Sequence, residues 1–90
     1  MTDLQAAARE ALSRGDLAAV RRLAQGLGGT PATAAEGRFL MGIADATEGR
    51  ISSGIGHVEA AISMAPTAEY LAQHARLLML LRRDGEARAA

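Results

Sequence analysis

The sequence predicts an all-α protein, and three observations carry that prediction. Breakers and capping residues divide it into helix-length pieces, no stretch alternates apolar and polar residues with a period of two, and β-branched residues are sparse. Apolar residues make up 49% of the 90, which is enough to bury a core and too many for a disordered chain. Alanine is the largest part of that fraction, and the only aromatic residues are Phe39 and Tyr70. The core is therefore built from small and aliphatic side chains, which let helices approach closely but bury little area each. A core of this size supplies about 3–5 kcal/mol.

Thr2-Asp3-Leu4-Gln5 reads as a capping box, in which the Thr2 hydroxyl accepts from the backbone three residues on and Gln5 reaches back. A helix follows from about Asp3 to Arg14. Gly15 ends it, and Asp16 caps the next, Leu17 to about Gln25. Gly26-Leu27-Gly28-Gly29-Thr30-Pro31 is a cluster of breakers. Thr33-Ala34-Ala35-Glu36 is a second capping box, opening a helix that runs to about Glu48 and stops at Gly49. Another helix fits Ile51 to Met64, with a ragged start at Ser52 and Ser53. Gly54 and Gly56 each cost it roughly 1 kcal/mol relative to alanine, so it is expected to be the irregular one. Pro66 blocks its continuation, and Thr67 caps a fifth helix to about Leu81. Arg82-Arg83-Asp84-Gly85 reads as a turn, and Glu86 to Ala90 as the start of a sixth helix.

The pieces repeat. One constant shift lands Gly15 on Gly49, Leu17 on Ile51, Val20 on Gly54, Leu27 on Ala61 and Ala7-Ala8 on Met41-Gly42. A further shift, one position shorter, carries Gly42 to Ala75, Arg50 to Arg83 and Gly54 to Ala87. Two helices per unit, at a period of about 34 residues, resemble the tetratricopeptide repeat. Met41-Gly42 looks like that family's Leu-Gly pair, Gly49 its turn glycine, Gly54 and Ala61 its alanine slots, and Pro66 its terminal proline. The resemblance implies antiparallel helix pairs stacked as a short right-handed α-solenoid, with units of about 1–34, 35–67 and a partial 68–90. An unrelated small helical bundle is the alternative. The family's large aromatic slots hold Leu4, Arg38 and Leu71 early in the first helices, and Ala11, Asp45 and Leu78 later in them. Arg38 and Asp45, seven apart on one helix, must pair with each other or with neighbours, unless that helix is rotated from the family norm.

Composition narrows the chemistry. Ten arginines balance ten acidic residues, and lysine is absent, a bias typical of GC-rich bacterial genomes. A neutral chain has no field to attract a polyanion, and two aromatics make no base-stacking platform, so no nucleic-acid partner is expected. With no cysteine there are no disulfides or thiolates. His57 and His74 lack metal-ligand spacing and read as partly exposed helix histidines. Gly54-Ile55-Gly56 and the Gly26–Gly29 cluster follow no strand and precede no Gly-Lys-Ser/Thr, so neither is a phosphate loop. None of Ser13, Ser52, Ser53 and Ser63 sits in a Gly-x-Ser-x-Gly elbow. The expectation is no catalytic residue, no cofactor and no metal. Met1-Thr2-Asp3 begins no signal peptide, and no apolar run is long enough for a membrane span, so a cytoplasmic protein with no membrane partner is expected.

The resemblance implies that the first helix of each pair lines a concave groove. Its face here carries Gln5, Arg9, Leu12 and Ser13, then Glu36, Phe39, Leu40, Ile43 and Thr47, then Glu69, Gln73, Arg76, Met79 and Leu80. A carboxylate clamp for the acidic tails of heat-shock chaperones is ruled out, because only Arg9 among the clamp positions would serve a carboxylate. What remains is an apolar strip of Leu12, Phe39, Leu40, Ile43, Met79 and Leu80, flanked by Arg9 and Arg76, suited to an amphipathic helix or an extended apolar peptide of a protein partner. The run Leu77-Leu78-Met79-Leu80-Leu81 is apolar all round the helix and needs cover from a further helix or from a second copy of the chain in a homodimer.

Overall fold

Local capping decides where most of the helices begin and end. The computed structural model describes residues 3–89, with side chains to Gly85, and Thr2 lies outside the described residues. Five α-helices follow one another: α1 (Leu4–Ser13), α2 (Leu17–Leu27), α3 (Pro31–Thr47), α4 (Ile51–Met64) and α5 (Ala68–Ala89). There is no strand among the described residues. Asp3 caps α1 by accepting from the amides of Gln5 and Ala6 at 3.0 and 3.3 Å. Asp16 caps α2 through the Ala19 amide, and Thr67 caps α5 through the Tyr70 amide.

α3 begins at Pro31, ahead of the expected Thr33 box. Proline at the first helical position costs nothing, because that amide has no intrahelical acceptor. Thr33 instead donates its hydroxyl hydrogen to the Leu27 carbonyl, tying the start of α3 to the end of α2.

Two turns share one geometry. Gly15 and Gly49 have φ of 74° and 92°, in the left-handed region that L side chains rarely adopt. Around the first, Gly15 N–H donates to Leu12 at 3.0 Å and Asp16 N–H to Ala11 at 2.9 Å. Around the second, Gly49 N–H donates to Ala46 at 3.0 Å and Arg50 N–H to Asp45 at 2.8 Å. The donors and acceptors of these two bonds follow their counterparts by the same offset that carries Gly15 to Gly49.

The expected turn at Arg82–Gly85 does not form. α5 continues through it to Ala89, so the sixth helix is the last turns of the fifth. A glycine ends a helix by taking a left-handed conformation, and Gly85 is not among the residues with positive φ. Without that turn, the glycine only weakens the helix by about 1 kcal/mol.

Each helix packs on its chain neighbour, and α1 also touches α3, within an envelope of 51 × 26 × 17 Å. Leu40, Leu77, Val20 and Val58 are the largest fully buried side chains, set among many alanines. Glycine sets the helix separations. A Cβ added at Gly42 would lie 2.7 Å from the Gly54 carbonyl oxygen, and one at Gly54 would lie 2.6 Å from that of Gly42. A Cβ at Gly37 would meet the Ala24 carbonyl oxygen at 2.6 Å. α4 is thus one regular helix from Ile51 to Met64, contrary to the expectation, because close backbone packing offsets the intrinsic cost of Gly54.

Candidate functional site

Two buried carboxylates organise the polar chemistry, both on α3. Glu36 is 5% exposed and sits between α1 and α5. Arg9 donates to it through Nε at 2.7 Å and Nη2 at 3.0 Å, and the Tyr70 hydroxyl donates at 2.8 Å. The same guanidinium grips Glu69 at 2.6 and 2.7 Å and lies 5.6 Å from the centre of the Phe39 ring. Phe39 in turn stacks on Tyr70 with centroids 4.4 Å apart. Hydrogen bonds to Glu69 and Glu36 raise Arg9 further above its ordinary range, and the Glu69 carboxyl is lowered by Arg9. Tyr70 is pushed up to about 12, by burial first and then by its bond to the Glu36 carboxylate.

Asp45 is 4% exposed and lies near the end of α3. Arg21 of α2 reaches it at 2.7 Å, Arg50 at 3.3 Å and the Ser53 hydroxyl at 2.7 Å. Arg21 and Arg50 also hold Glu48. His57 Nε2 stands 3.4 Å from Asp45, while its Nδ1 is 3.3 Å from Arg38 Nη1. Arg38 and Asp45 are therefore joined through a histidine on α4 rather than directly. His74, at the other histidine position, meets only Glu59 among the described acids, at 3.2 Å.

Burial opposes ionisation of Asp45, but hydrogen bonds from Ser53, Arg21 and Arg50 outweigh it and hold the carboxyl below its ordinary value. A depressed folded value means that the unfolded chain takes up the proton first as pH falls. The stabilisation is complete above the ordinary carboxylate value of about 4 and is lost as pH drops through the folded value. Asp45→Asn is expected to cost about 2 kcal/mol at neutral pH, because the arginines lose their charge partner while the amide keeps the Ser53 bond. Urea midpoints of the two proteins should differ at neutral pH and converge in acid; a constant gap would show that Asp45 titrates alike in both states.

The face expected to form a groove is only partly open. Phe39 and Leu40 are buried, Leu40 completely, and so belong to the core instead of lining a surface. Arg9 is engaged by two carboxylates. Leu12, Ile43 and Leu80 are half-buried, Met79 is 58% exposed, and the exposed Arg76 bonds to Gln73 at 3.1 Å. Ile43, Arg76 and Leu80 border a cleft of about 70 Å³. Sequence reasoning placed Arg9, Glu36 and Glu69 on this face but missed the pairing among them. The available signal was two acids and one arginine on a single face, with Tyr70 standing 34 residues after Glu36. In the apolar run of α5, Leu77 is buried and Leu80 half-buried, whereas Leu78, Met79 and Leu81 are exposed, as is Leu71.

Among the described residues, no helix is long and apolar enough to cross a membrane, and no group of three or more potential ligands is placed to hold a metal ion. No family model, curated protein or solved structure matches this chain.

Proposed function

We propose that this protein is a tetratricopeptide-like interaction module, a scaffold without enzymatic activity that binds a helix or apolar peptide of a protein partner. The observation that carries the reading is the open apolar flank of α5, where Met79 is 58% exposed and where Leu80 and Arg76 border a cleft with Ile43 of α3. The Gly15 and Gly49 turns share a positive φ and two equivalent closing hydrogen bonds, and the helices pack chiefly on their chain neighbours; both support the repeat architecture. The binding strip is Leu12, Ile43, Met79 and Leu80 with Arg76 alongside, since Phe39 and Leu40 lie beneath the surface. Four such side chains give at most about 6–12 kcal/mol when fully buried, and the half-buried three have less left to gain. After association costs of about 4–15 kcal/mol, micromolar affinity is the most that this strip provides. The lysine-free, arginine-rich composition belongs to the same proposal of a bacterial, cytoplasmic protein.

Selection of a displayed library of amphipathic helices against the immobilised chain tests this. Helices so selected should lose at least tenfold in affinity for Met79→Asp and Ile43→Asp, and little for Leu71→Asp. Equal binding to all variants removes the strip as the site.

A second reading is a homodimer through the other flank of α5, favoured by Leu71 and Leu78, which are 50% and 45% exposed and two helical turns apart. Sedimentation across a dilution series should then show a dimer that the Leu71→Asp/Leu78→Asp double variant abolishes. A concentration-independent monomer removes this reading.

A further inference from the structure

A cleft of about 380 Å³ opens between α2, α3 and α4, on a face of α3 separate from the strip above. Its volume falls in the range of small-molecule pockets. Ala24, Gly28, Ala34 and Gly37 line it with almost no side chain, beside the point where α2 and α3 come so close that a Cβ on Gly37 would lie 2.6 Å from the Ala24 carbonyl oxygen. The thioether side chains of Met41 and Met64 form its adaptable walls. Its polar lining is Gln25, Arg38 and His57, and no acid lines it.

Arg38 is the informative residue. Arg9, Arg21 and Arg50 each hold two carboxylates. Arg38 is exposed, its side-chain contact is the neighbouring imidazole at 3.3 Å, and no carboxylate among the described residues stands within ion-pair distance of it. The positions that correspond to it by the two repeat shifts are Leu4 and Leu71. Leu4 lies against α2, its Cδ1 within 3.3 Å of where a Gly26 Cβ would be. The middle unit thus carries a cation at the mouth of an apolar cleft, at a position where its sister units carry leucine.

We propose that this cleft binds a medium-chain fatty acid, with the aliphatic tail between Met41 and Met64 and the carboxylate on the Arg38 guanidinium. The Arg38 guanidinium, with Gln25 and His57 the other polar groups of a mostly apolar lining, complements a single carboxylate head and a methylene chain. A peptide would bring backbone amides into a lining with few groups to satisfy them.

Decanoate, decanol and decylammonium are the probes, and methyl NMR of the methionines is the readout. Decanoate should shift the Met41 and Met64 signals saturably, with Met79 unmoved. Decanol and decylammonium should bind at least tenfold more weakly. Arg38→Leu, which installs the side chain of positions 4 and 71, and Arg38→Gln should each lose at least tenfold for decanoate and leave decanol unchanged; circular dichroism verifies their fold. The proposal is overturned if decanoate fails to saturate the two signals below its micelle concentration, if decanol binds as well, if both variants retain full affinity, or if a leucine-terminated peptide carboxylate binds more tightly than decanoate.

Discussion

Gly42→Ala is expected to lower stability by about 2 kcal/mol, roughly half of what a core of this size supplies. The added methyl would lie 2.7 Å from the Gly54 carbonyl oxygen and 2.9 Å from Val58 Cγ2. The first of these is backbone and cannot rotate away, so α3 and α4 must separate along their crossing, and the packing around Leu40 and Val58 loosens with them. That overpacking costs about 3 kcal/mol, against which alanine returns about 1 kcal/mol of helix propensity. Gly54→Ala meets the Gly42 carbonyl oxygen at 2.6 Å and should behave alike. The double variant should lose less than the sum, because one separation relieves both clashes. Gly56→Ala, further along α4 and with nothing within 4 Å, should instead gain about 1 kcal/mol. Urea denaturation reads all four. If Gly42→Ala and Gly56→Ala shift the midpoint in the same direction, the close approach of α3 and α4 is wrong.

Removing the carboxylate of Glu36 should have the other large effect. Glu36→Ala strands the Tyr70 hydroxyl inside the core and leaves Arg9 with Glu69 alone, at a cost of about 3 kcal/mol. Glu36→Gln keeps one acceptor for Tyr70 or Arg9 and should cost about half as much. Tyr70→Phe removes only the donor, leaves Glu36 with Arg9, and should cost about 1 kcal/mol. Tyr70 is the single tyrosine of the chain, so tyrosinate absorbance reports on this site without ambiguity. In the wild type it should titrate near 12. Because the folded value is raised, the unfolded chain gives up the phenolic proton first. This contribution to stability is complete below the ordinary tyrosine value of about 10 and declines as pH rises toward the folded value. In Glu36→Gln the titration should move down toward the ordinary value. An unchanged titration would mean that the carboxylate does not hold the phenol.

The helices were legible in the residues alone, because caps and breakers act within a turn of chain. Asp16, Gly15, Gly49, Pro66 and Thr67 each set an end through bonds or steric blocks a few positions away, and the structure keeps them there. Where local signals were weak, the pattern misled: Gly85 looked like a stop, yet a glycine in the right-handed region merely weakens a helix that alanine, leucine and arginine favour. Which groups are satisfied and which stay exposed came only from the packing of the helices. Arg9 joins Glu36 and Glu69 across long stretches of chain, and Asp45 finds Arg21 on a different helix. Phe39 and Leu40 are covered, Met79 is not, and Arg38 faces a cleft. Each of these depends on how far helices are rotated and how closely they approach, which is fixed by contacts between residues distant in the chain and so leaves no mark on local pattern.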